Sequence, residues 1–295
     1  MTDGGIVTGE PPVGSSPELG VPSPSGPASY RMHVHRSGRG PLVLLLHGGL
    51  RGGQAGWRHQ HPLTQRWTLL APDRPGHGES PPARQDFEAE SVLVAHQLLD
   101  TPVHVVGMSY GAIVAMYAAA LRPDNVRSLT LVEPPCTAVA AGVPAVDAYG
   151  EEVRRVLELR DVTDADALRQ FLAVVGAPAE VSEPIQPSLL KGLRQLLGAR
   201  PPDEAEPPLA QLRAAPFQTL VVSGGHLDAN EIICDVIAAE TAGSRAVCPG
   251  AGHLIPDTGK PFNDLLEQHF RAAGGEASEI LLNHAEESMA TEDGS

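Results

Sequence analysis

A pentad, Gly107-Met108-Ser109-Tyr110-Gly111, stands between an apolar run, Val103 to Val106, and an alanine-rich run, Ala112 to Leu121. Buried strand, tight turn and helix follow one another there, with a serine at the apex. Such a turn holds the serine in a strained backbone conformation, and a Cβ at either flanking position would crowd it, so both glycines have a physical task. The helix must then fold back on the strand, which leaves the serine hydroxyl at the strand's carboxyl end.

The remaining pattern supplies neighbours for that strand. Leu42 to Leu46 is a continuous apolar run, the mark of a strand buried on both faces, and it ends in His47-Gly48-Gly49. A helix is expected over Trp57 to Gln65 and a second buried strand over Trp67 to Ala71, followed by the loop Asp73-Arg74-Pro75-Gly76-His77-Gly78. Asp86 to Leu99 patterns as a helix, and Val126 to Val132 as a strand ending in Glu133-Pro134-Pro135. Before all of these, Tyr30 to His35 reads as a short strand whose period of two puts His33 and His35 on one face. With no further ligand beside it in sequence, the pair reads as part of a strand, and no metal is expected.

Between about 136 and 214 the sequence predicts no strand, only helical stripes broken by Pro and Gly: Val153, Val156 and Leu157; Leu168, Phe171, Leu172 and Val175; Leu190, Leu193 and Leu197. The sheet pattern then resumes with a strand over Thr219 to Ser223, a helix over Ile232 to Ala239, a strand over Arg245 to Cys248 and a helix over Phe262 to Phe270. Repeated β-then-α alternation predicts an α/β architecture, a doubly wound and mostly parallel sheet. The helical insertion reads as a lid over the site. The expected organisation is a disordered tail at 1–28, a core from 29–135 and 215–273, the lid at 136–214, and an acidic tail at 274–295.

Charge excludes some partners. The net charge is −15, but the first 29 residues carry −3 and residues 276–295 carry −6, leaving −6 for the body. Phosphate contacts need a basic face, so nucleic acid is not an expected partner, and an anionic membrane surface is disfavoured for the same reason. Cys136, Cys234 and Cys248 are too few and too scattered for a disulfide framework or a zinc site. With no signal-peptide pattern and no run long enough to span a bilayer, the expected home is the cytoplasm.

Acyl transfer by serine needs a nucleophile, a base, an acid that orients the base, and donors for the oxyanion. Ser109 is the candidate nucleophile. His253, in Gly250-Ala251-Gly252-His253 just past the last strand, is the candidate base, since active-site residues gather at strand carboxyl ends in an open α/β sheet. Asp228, after the strand Thr219 to Ser223, is the first candidate acid, though it also stands where a helix N-cap belongs. Glu133, at the end of the strand after the serine helix, is the alternative. The oxyanion donors are expected from the backbone N–H groups of Tyr110 and Gly49, with Leu50 next in line.

These residues together resemble the α/β-hydrolase superfamily, serine esterases and lipases with a helical lid. Leu44 to Gly49 looks like its oxyanion strand and loop, Ala71 to Gly78 like the turn after the next strand, Gly107 to Gly111 like the nucleophile elbow, and Gly250 to His253 like the histidine loop. The resemblance covers about residues 30 to 272. Members often carry Gly-x-x-Asp where this chain has Gly224-Gly225-His226-Leu227-Asp228; counting from Gly225 puts Asp228 at the acid position, and counting from Gly224 puts Leu227 there.

The expected activity is hydrolysis of a small carboxylic ester, thioester or lactone through an acyl-enzyme on Ser109, without a cofactor, on a hydrophobic small-molecule substrate. The fold also hosts acyltransferases, cyclases and C–C bond-cleaving enzymes, which remain the alternative, and a non-catalytic binding module is a third reading.

Overall fold

The computed structural model describes residues 30–178 and 180–274, so the two expected tails lie outside the described residues, but for Gly274. The elements run in the order β1 (Val34–Gly38), β2 (Leu42–Leu46), α1 (Gly53–Gly56), β3 (Thr68–Pro72), α2 (Phe87–Leu98), β4 (Val103–Met108), α3 (Tyr110–Leu121) and β5 (Val126–Val132). Then come α4 (Pro144–Leu157), α5 (Asp164–Val174), α6 (Pro187–Leu196), α7 (Leu209–Ala214), β6 (Gln218–Ser223), α8 (Asp228–Glu240), β7 (Ser244–Val247) and α9 (Lys260–Ala272).

The seven strands form one sheet in the order β1-β3-β2-β4-β5-β6-β7. β1 pairs antiparallel with β3, and every other pair is parallel. This is the mostly parallel, doubly wound α/β sheet that the alternation of elements predicts. β4, which carries the serine turn, lies in the middle, flanked by β2 and β5. The carboxyl ends of β2, β4, β5, β6 and β7 therefore open on one edge, where the loops after them meet.

Both faces of the sheet are covered, which explains why its central strands read as unbroken apolar runs. On one face Val43, Leu45, Val106 and Val222 pack with Trp57, Trp67, Phe262, Leu266 and Phe270. Phe262, Leu266 and Phe270 recur every fourth residue along α9 and are fully buried; removing each from water is worth about 1.5–3 kcal/mol. On the other face α3 lies against β2, β4 and β5, with Ile113 and Met116 at zero exposure. The side chain of Asp86 caps α2 by accepting from the backbone N–H groups of Glu88 and Ala89, both at 3.1 Å.

Two local expectations are corrected. The helix expected over Trp57 to Gln65 is instead the single turn α1 followed by a 3-10 segment, Arg58–Gln65, that contains Pro62. Proline has no N–H for an i→i−4 bond and its ring clashes with the preceding turn, so an α-helix cannot run through it. The first strand begins at Val34 rather than Tyr30 and extends to Gly38, because its register is set by pairing with β3. Between β5 and β6 the described residues form helices only, as the broken apolar stripes indicate. No described helix is long and apolar enough to cross a membrane.

Candidate active site

Ser109 sits between β4 and α3 with φ 53° and ψ −126°, a left-handed conformation that a serine adopts only under constraint. The constraint is visible in the two glycines. A Cβ on Gly111 would lie 2.3 Å from the carbonyl oxygen of His47 and 2.4 Å from that of Leu46, and a Cβ on Gly107 would lie 2.5 Å from the carbonyl oxygen of Gly111. These are backbone atoms, so no larger residue fits either place. The sheet ladder also continues past the strand end, with Ser109 N–H donating to Val132 O at 2.8 Å.

The same continuation places Glu133. Glu133 N–H donates to Val222 O at 3.0 Å, so the residue after β5 stays registered beside β6. Its φ of 42° turns the side chain out of the strand direction. The Glu133 carboxylate then accepts from His253 Nδ1 (2.6 Å), Gly224 N–H (2.6 Å) and Asn230 Nδ2 (3.0 Å). The structure thus places Glu133, not Asp228, on the imidazole of His253. Asp228 is the first residue of α8 and is exposed, a position where a carboxylate favours the helix N-terminus. Leu227 occupies the N-cap itself.

Burial alone would raise the Glu133 pKa, but the imidazoles of His226 and His253, with the Gly224 N–H, outweigh it and bring it down to about 2. The group is therefore a carboxylate at neutral pH. With His253 Nδ1 donating to it, the Nε2 lone pair is left to accept a proton. His253 is buried, and its backbone N–H donates to Gly176 O at 3.3 Å.

His226 is a member of this cluster that the sequence did not single out. Its Nδ1 faces Glu133 Oε1 at 3.3 Å and its Nε2 faces Val175 O at 3.0 Å. Nε2 meets a carbonyl acceptor, while Nδ1 stands at ion-pair distance from the carboxylate without hydrogen-bond geometry. The carboxylate of Glu133 raises the His226 pKa above its ordinary value, burial opposing. His226 lies 6.5 Å, ring to ring, from His253, and its protonation is favoured by the carboxylate of Glu133. A unit charge at that distance is worth roughly 1–2 kcal/mol against a second cation in a partly exposed site. Replacing it with neutral glutamine, His226→Gln, moves the acid limb of the kcat/KM profile for ester hydrolysis to higher pH by about 0.7–1.5 units. An unchanged pH profile in this variant would show that His226 only packs.

The loop after β2 faces Ser109. A Cβ on Gly48 would sit 3.4 Å from Ser109 Cβ, so the backbone here runs in contact with the serine. Both peptide planes of the loop are fixed. His47 Nδ1 donates to Gly48 O (2.7 Å) while its Nε2 accepts from Arg74 N–H (2.9 Å), and burial keeps the ring neutral. His77 Nε2 donates to Gly49 O (2.9 Å), and Gln85 Nε2 also reaches that oxygen (3.3 Å). In a trans peptide N–H and C=O point oppositely, so fixing Gly48 O fixes the direction of Gly49 N–H. Tyr110 opens α3, where a backbone N–H has no intrahelical acceptor. Its ring is held by the Arg74 guanidinium 4.9 Å above it and by a bond from its hydroxyl to Arg200 O (3.2 Å).

Ser109, His253, Gly48 and Gly49 line one cavity of about 330 Å³, a size typical of small-molecule sites. Its apolar wall comes from the helical insertion: Leu168, Phe171, Leu172 and Val175 from α5 and its end, and Leu189 from α6. The opposite end is polar, where Arg51 makes a two-pronged pair with Asp257 at 2.9 and 2.8 Å.

Comparisons with known proteins address the family and the fold. Residues 43–265 match the model of an alpha/beta hydrolase family. A pimeloyl-[acyl-carrier protein] methyl ester esterase from Methylococcus capsulatus is 38% identical over 190 residues, which are 61% of this chain and 69% of that protein. Lipase LipV from Mycobacterium tuberculosis is 37% identical over 164 residues, 52% of this chain and 58% of its own length. A thermophilic esterase from Thermogutta terrifontis shares the fold with a TM-score of 0.58 at 21% identity, over 82% of this chain and 93% of that one. The matched region contains the serine turn, both carboxylates, the histidine loop and the sheet that aligns them, and the chain belongs to the alpha/beta hydrolase family.

Proposed function

We propose that the chain is a serine hydrolase of small carboxylic esters with an apolar acyl group, working through Ser109, His253 and Glu133. The observation that carries the reading is the 2.6 Å bond from the buried Glu133 carboxylate to His253, which lines the same cavity as Ser109. Ser109 attacks the ester carbonyl as His253 Nε2 takes its proton. Glu133 holds the imidazole in the required tautomer and stabilises its cation. The tetrahedral oxyanion is received by the N–H groups of Gly49 and Tyr110. His253 then protonates the leaving alcohol, and water, activated by the same base, releases the acid. The insertion 136–214 acts as the lid, since it supplies the apolar wall of the cavity.

The named relatives include an esterase that acts on a carrier-protein-linked ester and a lipase. A carrier would need an unspent basic patch on the lid. Most lid arginines instead pair with carboxylates of the chain, Arg154 with Asp203, Arg155 with Glu152, Arg169 with Asp166 and Glu183, and Arg194 with Asp164, while Arg160 and Arg213 meet backbone carbonyls. This favours a free small-molecule ester. Cys136, Cys234 and Cys248 are buried and unpaired, as suits a reducing compartment, and the proposal places the enzyme in the cytoplasm.

The test is a series of p-nitrophenyl esters of increasing acyl length. Each methylene that enters the Leu168–Phe171–Leu172 wall raises kcat/KM by about three- to fourfold, from roughly 0.8 kcal/mol of transfer energy, until the cavity is full. A flat series, or a preference for acetate, would contradict an apolar acyl pocket.

A further inference from the structure

At the far edge of the sheet, the histidine pair that the sequence leaves as plain strand has acquired two carboxylates. His33 precedes β1 and His35 lies within it, their ring centroids 4.6 Å apart at an interplanar angle of 70°. The loop after β3 brings Asp73 Oδ2 to 3.1 Å from His35 Nε2, and Glu79 Oε1 to 3.7 Å from His33 Nε2. The candidate ligand atoms of His33, His35 and Asp73 all lie within 4.8 Å of one another.

We propose that His33, His35 and Asp73, with Glu79 beside His33, form a binding site for one zinc-like divalent cation, which braces the edge strand β1 against the loop after β3.

The distances fit such an ion. Ligand atoms 2.0–2.2 Å from a tetrahedral zinc stand about 3.4 Å from one another, and the two imidazole–carboxylate separations fall either side of that value. Two imidazoles with two carboxylates match a borderline ion such as Zn²⁺ better than Mg²⁺ or Ca²⁺, which take oxygen ligands. The site is also preorganised by contacts around the ligands. Asp73 Oδ1 accepts from Gly53 N–H (2.7 Å) and Oδ2 from Glu79 N–H (3.0 Å), which fix the carboxylate plane. Asp73 N–H donates to His33 O (2.9 Å), His33 N–H donates to Ser80 Oγ (2.9 Å), and Ser80 Oγ donates to Asp73 O (2.5 Å). The backbones carrying the ligands on the two sides are thus tied together before an ion arrives. Asp73 is buried, whereas His33 and His35 are partly open to solvent, which gives an ion a way in.

None of the four residues lines the Ser109 cavity, and β2 and β3 lie between β1 and β4 in the sheet. The site is therefore structural, with no part in ester cleavage.

The test is calorimetric titration of the chelator-treated full chain with Zn²⁺ alone, beside thermal melts with and without the ion. The proposal predicts one saturable Zn²⁺ per chain and a higher Tm in its presence. His33→Ala and His35→Ala each weaken binding at least about tenfold and abolish the Tm rise. Both variants keep their metal-free Tm within a few degrees and their ester hydrolysis unchanged, which separates lost ligation from lost folding. His253→Ala leaves the binding intact. Absence of one-to-one binding by the unaltered chain would overturn the proposal. Equal affinity in the His33 and His35 variants, or loss of binding only in His253→Ala, would overturn it as well.

Discussion

Ser109→Ala lowers kcat/KM for a p-nitrophenyl ester by about 10⁴- to 10⁶-fold while the protein stays folded. The magnitude is that expected when the nucleophile of an acyl-enzyme mechanism is removed and only oxyanion binding and proximity remain. The folded state is kept because the turn depends on Gly107 and Gly111, which a change at Ser109 leaves in place. Removing one hydroxyl from a half-buried side chain shifts stability by about 0.5–1 kcal/mol, a few degrees in Tm at most. The KM changes little, since the cavity wall of Leu168, Phe171 and Leu172 still receives the acyl group. Steady-state kinetics and a thermal melt on the same preparation check both halves. Retained turnover in the folded variant would remove Ser109 from the chemistry.

Glu133→Gln lowers kcat by about 10³- to 10⁴-fold, whereas Asp228→Asn changes it less than about threefold. An amide at position 133 keeps the shape but can offer His253 Nδ1 an N–H, which turns the imidazole to the wrong tautomer and leaves its cation unsupported. Asp228 is exposed at the start of α8, so its loss affects only that helix end. The reverse ranking would restore Asp228 as the acid. A pH signature accompanies the change. The Glu133 carboxyl falls from an ordinary 4.5 to about 2 in the folded chain. The folded state thus binds this proton less readily than the unfolded one, and the stability from its ionised form is fully present above about pH 4.5. It is lost as pH falls towards 2, on the order of 3 kcal/mol in all. Glu133→Gln is less stable than the unaltered chain at neutral pH and flatter across that acid range, which urea unfolding at stepped pH would measure.

The sequence carries the sheet plainly because both of its faces are covered. A strand such as Leu42 to Leu46 then has no polar residue to interrupt the apolar run, and in Val126 to Val132 the polar residues past the exposed Arg127, Ser128 and Thr130, are buried. Ser109 is legible for a different reason: its turn demands glycine on both sides, and that demand is written into the pentad. His253 is legible through its glycine loop just past the last strand. The acid is harder to read. Glu133 owes its place to the lateral order of strands, in which β5 lies beside β6, and lateral order is not a local property of the chain. Asp228 follows a Gly-Gly turn and satisfies a local spacing, yet the spacing equally suits the first turn of a helix. His226, Asn230 and Gln85 belong to the same category as Glu133. Each acts through a partner 36 or more residues away in the chain, at 3.0–3.3 Å for His226–Glu133, Asn230–Glu133 and Gln85–Gly49. The pair His33 and His35 shows the converse, since period-two spacing is visible but the carboxylates facing it come from a loop 38 residues or more beyond His35.

The most direct test of the central claim is reaction with a fluorophosphonate ester, followed by intact mass and peptide mapping. The account predicts one phosphonyl group per chain, carried by Ser109, with concurrent loss of ester hydrolysis. It also predicts labelling that is slowed by about 10³-fold or more in Glu133→Gln and His253→Ala, since the first leaves the imidazole in the wrong tautomer and the second removes the base that activates the hydroxyl. A chain that hydrolyses esters yet takes up no label, or takes it at a residue other than Ser109, would contradict it.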